Sequence, residues 1–530
     1  MNPNLLAAPI ALPLFAAALL LAVSRWGGRQ RLSLQRWLAA GALTVNLVVV
    51  LALAQFTLDG QRLVLQMGGW QAPFGITLIA DGLTAILLSL TAVVALAVLP
   101  FAIATIDLHR ERMAFYPLFL LLVMGVNGAF LTGDFFNLYV FFEVLLMASF
   151  VLLTVGGQPA QTHAGIRYVV LNLLGSLVFL AAAGIAYGTL GTLNMAHMAE
   201  RLDTAPMAVR VLLAGMLLVS FGGKAALFPL FFWLPSSYHT PPPAVTALFG
   251  GLLTKVGVYT LFRSFTLFFP DLLAAWQPLI LGIAGATMLI GSLGAMAQPT
   301  IRRVLSFHII SHVGFMLMGL GVALQGEGLA VGFGLAAAIL YMTHHMIVKT
   351  GLILAGGAVE IDMGGDRLQS ISGLVSRRPI LALLFFLSAI SLAGIPPFSG
   401  FISKLSLLEI TLDTRHWLVA GVSIAASILT LINVMRLWRE AFWGKYEHPG
   451  RLAPHLLEAP VRRWLVLGPI AALLLVSLGL GLSGERVFQM TTTAAEQALD
   501  RAGYIAAVQP IDPESVAGPA AYPAEQGGHD

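Results

Sequence analysis

Four of the five lysines in this chain stand where lysine is costly. Lys224 ("SFGGKAALFPLFFW"), Lys255 ("LFGGLLTKVGVY"), Lys349 ("HHMIVKTGLILAGG") and Lys404 ("AGIPPFSGFISK") all fall inside apolar runs. Only Lys445 lies in a polar connection, and arginine serves nearly all of the remaining surface. An ammonium group at the centre of a membrane helix costs about 2.5–3.5 kcal/mol on insertion scales. Four of them approach the whole stability of a typical protein, roughly 5–15 kcal/mol, so each must be paired, hydrated or neutral. Lysine accommodates all three states because it can surrender its proton, which arginine cannot. Internal lysines that change protonation state are what a proton relay needs. Snorkelling of the ammonium to the interface would explain one such residue; four flanked by small and apolar residues argue for the relay.

Other titratable groups share these apolar runs. Glu143, in "FFNLYVFFEVLLMASFVLL", is the most deeply set acid, and Lys224 is its candidate partner. Asp81 and Asp134 sit at predicted helix ends, where capping or solvent contact suffices. His308 and His312 are four residues apart on one helix face, as are His345 and Lys349. For His308, His312 and His344, relay or gating stations and neutral hydrogen-bonded structural histidines stand equally. His345 is favoured as a relay group because it shares a face with Lys349.

The elements that carry these groups follow from composition. The chain of 530 residues is 58% hydrophobic and 10% charged, against about 25% charged in soluble domains. Apolar blocks of about twenty residues recur along it, the length a helix needs to cross a bilayer. An all-α polytopic membrane protein is expected, with about 14 spans centred near residues 14, 46, 92, 122, 145, 177, 219, 254, 286, 312, 342, 392, 427 and 472. The runs are continuous, not alternating, which excludes a transmembrane barrel. The first apolar stretch has no basic region before it and reads as a spanning helix, not a signal peptide. With Cys absent, disulfides, thiolate metal sites and cysteine nucleophiles are excluded. No dinucleotide fingerprint or flavin site appears, so no cofactor or metal is expected. The net charge of +4 resides in short interhelical loops, which does not point to nucleic acid.

With the N-terminus outside, 18 basic residues fall in cytoplasmic connections, among them Arg25, Arg29, Arg36, Arg110, Arg302, Arg378, Arg436 and Arg451. Only 7 fall outside: Arg62, Arg201, Arg210, Arg263, Arg415, Arg486 and Arg501. That bias sets the orientation. The polar segment 485–530, with Asp512 and Glu514, is then an external tail, a short helix followed by disorder.

Two spans are broken. One break follows Lys224 at "FPLFFWLPSSYHTPPP", with Pro229 and Pro235; the other is Gly394-Ile395-Pro396-Pro397. They fall in the seventh and twelfth spans. An offset of five helices reverses membrane orientation, the arrangement of inverted repeats in secondary transporters. The expected organisation is three N-terminal helices (1–110), a five-helix repeat (111–265), a second, inverted repeat (266–445), a C-terminal helix (446–484) and the tail.

Six motifs in order carry a resemblance: "GDFFNLYVFFEVLLMASF", "GGKAALFPLFFWLP", "ALFGGLLTKVGVY", "RRVLSFHIISHVGFMLMG", "HHMIVKTGLILAGG" and "AGIPPFSGFISK". Over about residues 75–450 the chain resembles the antiporter-like subunits shared by Mrp-type cation/proton antiporters and respiratory complex I. The turn "WLPSSYHTPPPAV", with Ser236 and Pro242, lacks the acids usual in complex I relatives, and with the early "GWQAPFGITLIADGLTAILL" it looks most like the D-type subunits of Mrp antiporters. The resemblance maps Glu143, Lys224, Lys255, His345, Lys349 and Lys404 onto the family's proton-relay positions. His239 matches a histidine of the seventh-helix turn in altered surroundings, a further candidate for relay or gating. It implies a secondary-transporter subunit, not an enzyme, in a bacterial plasma membrane, exchanging Na+ for protons beside A-like and C-like membrane subunits. The alternatives are the pumping subunit of a complex I-like quinone reductase or membrane hydrogenase, or the membrane subunit of a bicarbonate-uptake complex.

Overall fold

The computed structural model describes residues 2–24, 29–325, 331–445 and 459–509; Arg25, Arg451, Asp512 and Glu514 lie outside them. The described residues begin with α1 (Ala8–Val23), α2 (Arg29–Thr57), α3 (Gly82–Thr105), α4 (Leu108–Arg112), α5 (Phe115–Leu131), α6 (Phe135–Thr154) and α7 (Pro159–Leu190). Next come α8 (Met195–Leu202), α9 (Met207–Ala225), α10 (Trp233–Ser237), α11 (Pro243–Leu267), α12 (Pro270–Ala275), α13 (Gln277–Met296), α14 (Ile301–Gly321) and α15 (Phe333–Met363). The last are α16 (Leu374–Arg377), α17 (Pro379–Ala393), α18 (Ser399–Asp413), α19 (Trp417–Phe442), α20 (Pro460–Leu482), α21 (Gly484–Leu499) and α22 (Arg501–Val508).

Eleven of the described helices are long and apolar enough to cross a membrane, and α5 and α17 are shorter apolar helices. The protein is therefore a multi-pass helical membrane protein. Each expected span centre falls inside a helix, because a continuous apolar run in lipid must satisfy its backbone internally. A short antiparallel hairpin, β1 (Leu63–Gln66) with β2 (Thr77–Ala80), was not foreseen. Its four-residue strands are far too short to cross.

Helix α11 is buried along its whole length and α14 nearly so. They pack with α15, α3 and α9 at the centre, whereas Phe15, Trp37 and Leu418 point outward from peripheral helices. The central helices are those that carry Lys255, His308, His312, His345 and Lys349. Polar side chains at the centre of the bundle are shielded from lipid by other protein, the setting in which intramembrane ionisable groups are almost always found.

Connections alternate between two ends of the bundle. At one end Arg36 pairs with Glu111 at 2.8 Å, Arg110 donates to the Val155 carbonyl, and Gln161 donates to the Thr240 carbonyl. Arg302 there reaches the Pro241 carbonyl and Glu360, and Arg436 reaches the Gln298 carbonyl. At the opposite end Gly133 N donates to the Thr77 carbonyl, Arg210 pairs with Asp271, and Arg62 pairs with Asp500. These contacts join odd-numbered connections to odd ones and even to even.

Two expectations change here. Arg263, expected in an external loop, lies in the last turns of α11, buried and paired with Asp81 at 2.6 Å. Residues 484–508 are not a free tail: α21 and α22 dock on the body. Gln497 accepts from Gly82 N and donates to the Thr57 carbonyl, while Arg501 donates to the Leu267 carbonyl. The amphipathic pattern of α21 gives it an apolar face to bury, which composition alone concealed. The two aspartates behave as their positions suggested: Asp81 caps α3 through Thr84 N, and Asp134 caps α6 through Asn137 N.

Candidate functional site

The first break occupies residues 226–232, between α9 and α10. Pro229 lies in it, whereas Pro235 lies inside α10. Helix α9 ends on Ala226 in the left-handed region, with φ of 63°. Its freed carbonyls are satisfied locally, since Trp233 Nε1 donates to the Gly223 carbonyl at 2.8 Å and Leu227 N to the Gly222 carbonyl. Lys224, in the last turn of α9, is buried; its ammonium donates to Ser176 Oγ at 2.9 Å and lies 4.8 Å from the centre of the Phe142 ring. A cation over an aromatic face keeps part of its electrostatic compensation in a dry site.

The direct Glu143–Lys224 ion pair expected from sequence is not formed among the described residues. Glu143 is half-buried, and its Oε1 has no hydrogen-bond partner. The reason is helical phase: α6 presents Phe142 to the ammonium, and its successor points about 100° further round the helix.

The second break, residues 394–398, separates α17 from α18. Gly394 ends α17 with φ of 94°, a conformation open to glycine. Lys404 sits on α18, and its ammonium donates to the carbonyl of Ala393, the last residue of α17, at 2.8 Å. A cation at a helix C-terminus meets the negative end of the macrodipole as well as a freed acceptor. Lys404 also lies 5.5 Å from the Phe315 ring centre. A cavity of about 310 Å³, lined by Gly394, Lys404, Leu405, Ser423 and Ile428, opens beside this break. The two lysines are thus not equivalent: Lys224 precedes its break, whereas Lys404 follows its own and caps the other half-helix.

Between the breaks runs a row of buried groups. Lys255 donates to the Gly250 carbonyl at 2.5 Å and to Thr254 Oγ1 at 3.2 Å. Gly257, half a turn on, lets α11 touch the backbone at Lys224 and Ala225. The His345 and His312 rings are 4.9 Å apart, and His312 stacks on His308 at 6.0 Å. His312 Nδ1 contacts the Tyr341 hydroxyl, and His344 Nδ1 lies 2.8 Å from Ser399 Oγ. Lys349 Nζ, both nitrogens of His345 and His308, and Nε2 of His312 and His344 are buried without a protein partner: seven nitrogens in one cluster. Native interiors leave few polar atoms unpaired, so this concentration is distinctive.

His239 stands apart, in the connection after α10. Its Nδ1 donates to the Pro235 carbonyl at 3.0 Å, and Arg303 donates to its Nε2 at 3.2 Å. Burial, with Arg303 and Arg302 nearby, lowers its pKa to about 4. The ring is held neutral. Ser176, Phe142, Phe315, Tyr341 and Ser399 were missed in the sequence because a single serine or aromatic residue in an apolar helix has no signature; only the packing of one helix on another brings it to a lysine or histidine. No group of three or more His, Cys, Asp or Glu side chains among the described residues is arranged to hold a metal ion.

A polytopic helical protein with lysines and histidines buried between two helix breaks is, as a class, an ion-translocating membrane protein. More particularly, the chain belongs to the NADH:quinone oxidoreductase/Mrp antiporter transmembrane family, which matches residues 132–430. It is 42% identical to the D-type subunit of the Na(+)/H(+) antiporter of Alkalihalophilus pseudofirmus, over 95% of this chain and 99% of that protein. Identity to the corresponding D-type antiporter protein of Bacillus subtilis is 36%, again over 95% and 99%. A solved chain of the Mrp complex from Dietzia sp. DQ12-45-1b superposes with a TM-score of 0.87 at 34% identity, covering 96% of this chain and 100% of that one. A chain of the membrane-bound sulfane sulfur reductase, an archaeal respiratory membrane complex, superposes with a TM-score of 0.84 at 27% identity, with the same coverage.

Proposed function

We propose that this chain is the D-type, proton-carrying subunit of a multisubunit Na+/H+ antiporter, and that it moves protons along Lys224, Lys255, Lys349, His345 and His312 to Lys404. The observation that carries this reading is the cluster of seven unpartnered buried nitrogens lying between two helix breaks. Groups that can each take or release a proton, and that no protein atom has claimed, are served by water and by one another. Glu143 acts on Lys224 through its field, not through contact: the charged lysine is favoured while the carboxylate is near, and their separation releases the proton. In this reading water reaches Lys224 and Lys404 at the breaks, since irregular backbone at membrane depth is tolerated where it lines a hydrated cavity.

In this reading the chain crosses a bacterial plasma membrane fourteen times, with both termini outside and two inverted five-helix units at 111–265 and 266–445. Its partners are A-like and C-like membrane subunits, and the Na+ path lies in the assembly. The test is sodium-dependent pH change in everted vesicles carrying the whole operon. Lys224→Ala and Glu143→Ala should each reduce antiport by about tenfold or more. Wild-type antiport in both would sink the relay.

A second reading, proton pumping for a redox complex, is favoured by the likeness to the archaeal respiratory chain. Gene neighbours separate the two: small antiporter subunits for the first, redox subunits for the second.

A further inference from the structure

Beside the relay row, four buried side chains from four helices form an unbroken hydrogen-bonded chain across the second break. Ser391 Oγ, near the end of α17, lies 2.9 Å from Ser477 Oγ on α20. Ser477 Oγ lies 2.9 Å from Ser399 Oγ, at the start of α18. Ser399 Oγ in turn lies 2.8 Å from His344 Nδ1 on α15. All four are at most 2% exposed. The far nitrogen of the histidine, Nε2, is buried and unpartnered. At the other end Ser391 stands two residues before Ala393, whose carbonyl holds the Lys404 ammonium.

Close backbone approaches hold this chain together. A Cβ at Gly400 would overlap the Ser391 carbonyl and come within 2.8 Å of the His344 ring. One at Gly481, a turn beyond Ser477 on α20, would overlap the Pro397 carbonyl. Glycine at both sites lets α18 and α20 press against the break. The last long helix, outside both proposed repeats, thereby supplies the middle hydroxyl.

Counting hydrogens constrains how the chain works. Three bonds need three hydrogens. When His344 Nδ1 carries none, every serine must donate toward the histidine. When Nδ1–H is present it donates to Ser399, and the serines can reverse, releasing the hydrogen of Ser391 toward the break. A proton taken up at Ser391 therefore passes by one O–H bond forming and one breaking at each serine. It arrives at Nδ1, and a proton leaves from Nε2; the reverse passage balances equally, and the chain is reset when the hydroxyls rotate back and the imidazole returns to the tautomer protonated at Nε2.

We propose that Ser391, Ser477 and Ser399 form a proton-carrying hydroxyl chain that joins His344 to the second helix break, with Ser477 its obligatory link. This rests on the relay reading and adds to it a branch parallel to Lys404. The test uses the complete antiporter in everted vesicles, with assembly measured in the same preparations. Ser477→Ala should lower antiport by about tenfold and change the solvent deuterium isotope effect, whereas Ser477→Thr, which keeps a hydroxyl, should restore the rate to within about twofold. Ser399→Ala should match Ser477→Ala, and the double variant should be no worse than either, because a chain is broken once. Wild-type rate and isotope effect in Ser477→Ala, losses that multiply in the double variant, or equal damage from Ser477→Thr would each overturn the proposal. Should Ser477→Ala fail to assemble, Ser399→Ala compared with Ser399→Thr decides on the same criteria. Lys224→Ala runs alongside: wild-type antiport there condemns the relay, whereas its loss with Ser477→Ala unaffected condemns only the hydroxyl chain.

Discussion

Lys404 shows what a single residue gains from its place. Its ammonium rests on the carbonyl that ends α17, so a static positive charge would serve the helix terminus as well as a mobile proton would serve a relay. Lys404→Arg separates these roles, since arginine keeps the charge and never deprotonates. The relay predicts antiport reduced by about tenfold or more in vesicles, with the complex still assembled; full activity would leave Lys404 a structural cap. His239 gives a prediction of opposite sense. Its pKa of about 4 lies below the unfolded value of about 6.5, so the unfolded chain binds more protons between them. Stability contributed by the neutral ring is complete above pH ~6.5 and is lost as pH falls toward 4. Thermal unfolding of the purified complex across that window should show the loss, and His239→Gln should flatten it while leaving antiport at pH ~7.5 within about twofold.

At the scale of elements, the docked C-terminal helices are the clearest departure from a simple bundle. Helices α21 and α22 cover the ends of α3 and α11, where Arg263 lies between Asp81 and the Tyr259 and Tyr504 rings. This is a buried ion pair, and removing one partner strands the other charge. Asp81→Asn should therefore destabilise the protein by about 3–5 kcal/mol. It should also loosen α22, through Tyr504, so that limited proteolysis after residue 484 speeds up while α11 stays protected. An unchanged melting temperature and unchanged cleavage would show that the pair contributes nothing to docking. The breaks illustrate a related rule: the carbonyl freed at the first is taken by Trp233, that at the second by Lys404. One element is closed by an inert indole and the other by a titratable group.

At the scale of the whole molecule, the two sets of connections define two faces. The absence of cysteine makes their orientation directly measurable. Lys445→Cys should react with an impermeant maleimide only from the cytoplasmic side, and Asp59→Cys only from outside. Labelling of both from one side would overturn the proposed alternation. The positive-inside bias remains readable although several of its arginines are neutralised, for example Arg36 by Glu111 and Arg378 by Asp362.

The class of fold, the helices and both breaks were legible in the order of residues alone. Each is written locally, in runs of apolar residues long enough to cross lipid and in the prolines, with Gly394 at the second break, that interrupt them. Lys224, Lys255, Lys349 and Lys404 were legible too, because a charge inside an apolar run is conspicuous without any coordinates. What each charge touches was settled by packing. Phe142 and not Glu143 faces Lys224, Arg263 is buried, α21 and α22 are docked, and Ser477 bridges the second break. Those outcomes depend on the rotation of one helix against another and on contacts between residues far apart in the chain, 182 positions for Arg263 and Asp81. A turn of about 100° per residue exchanges one neighbour for the next without altering hydropathy at all.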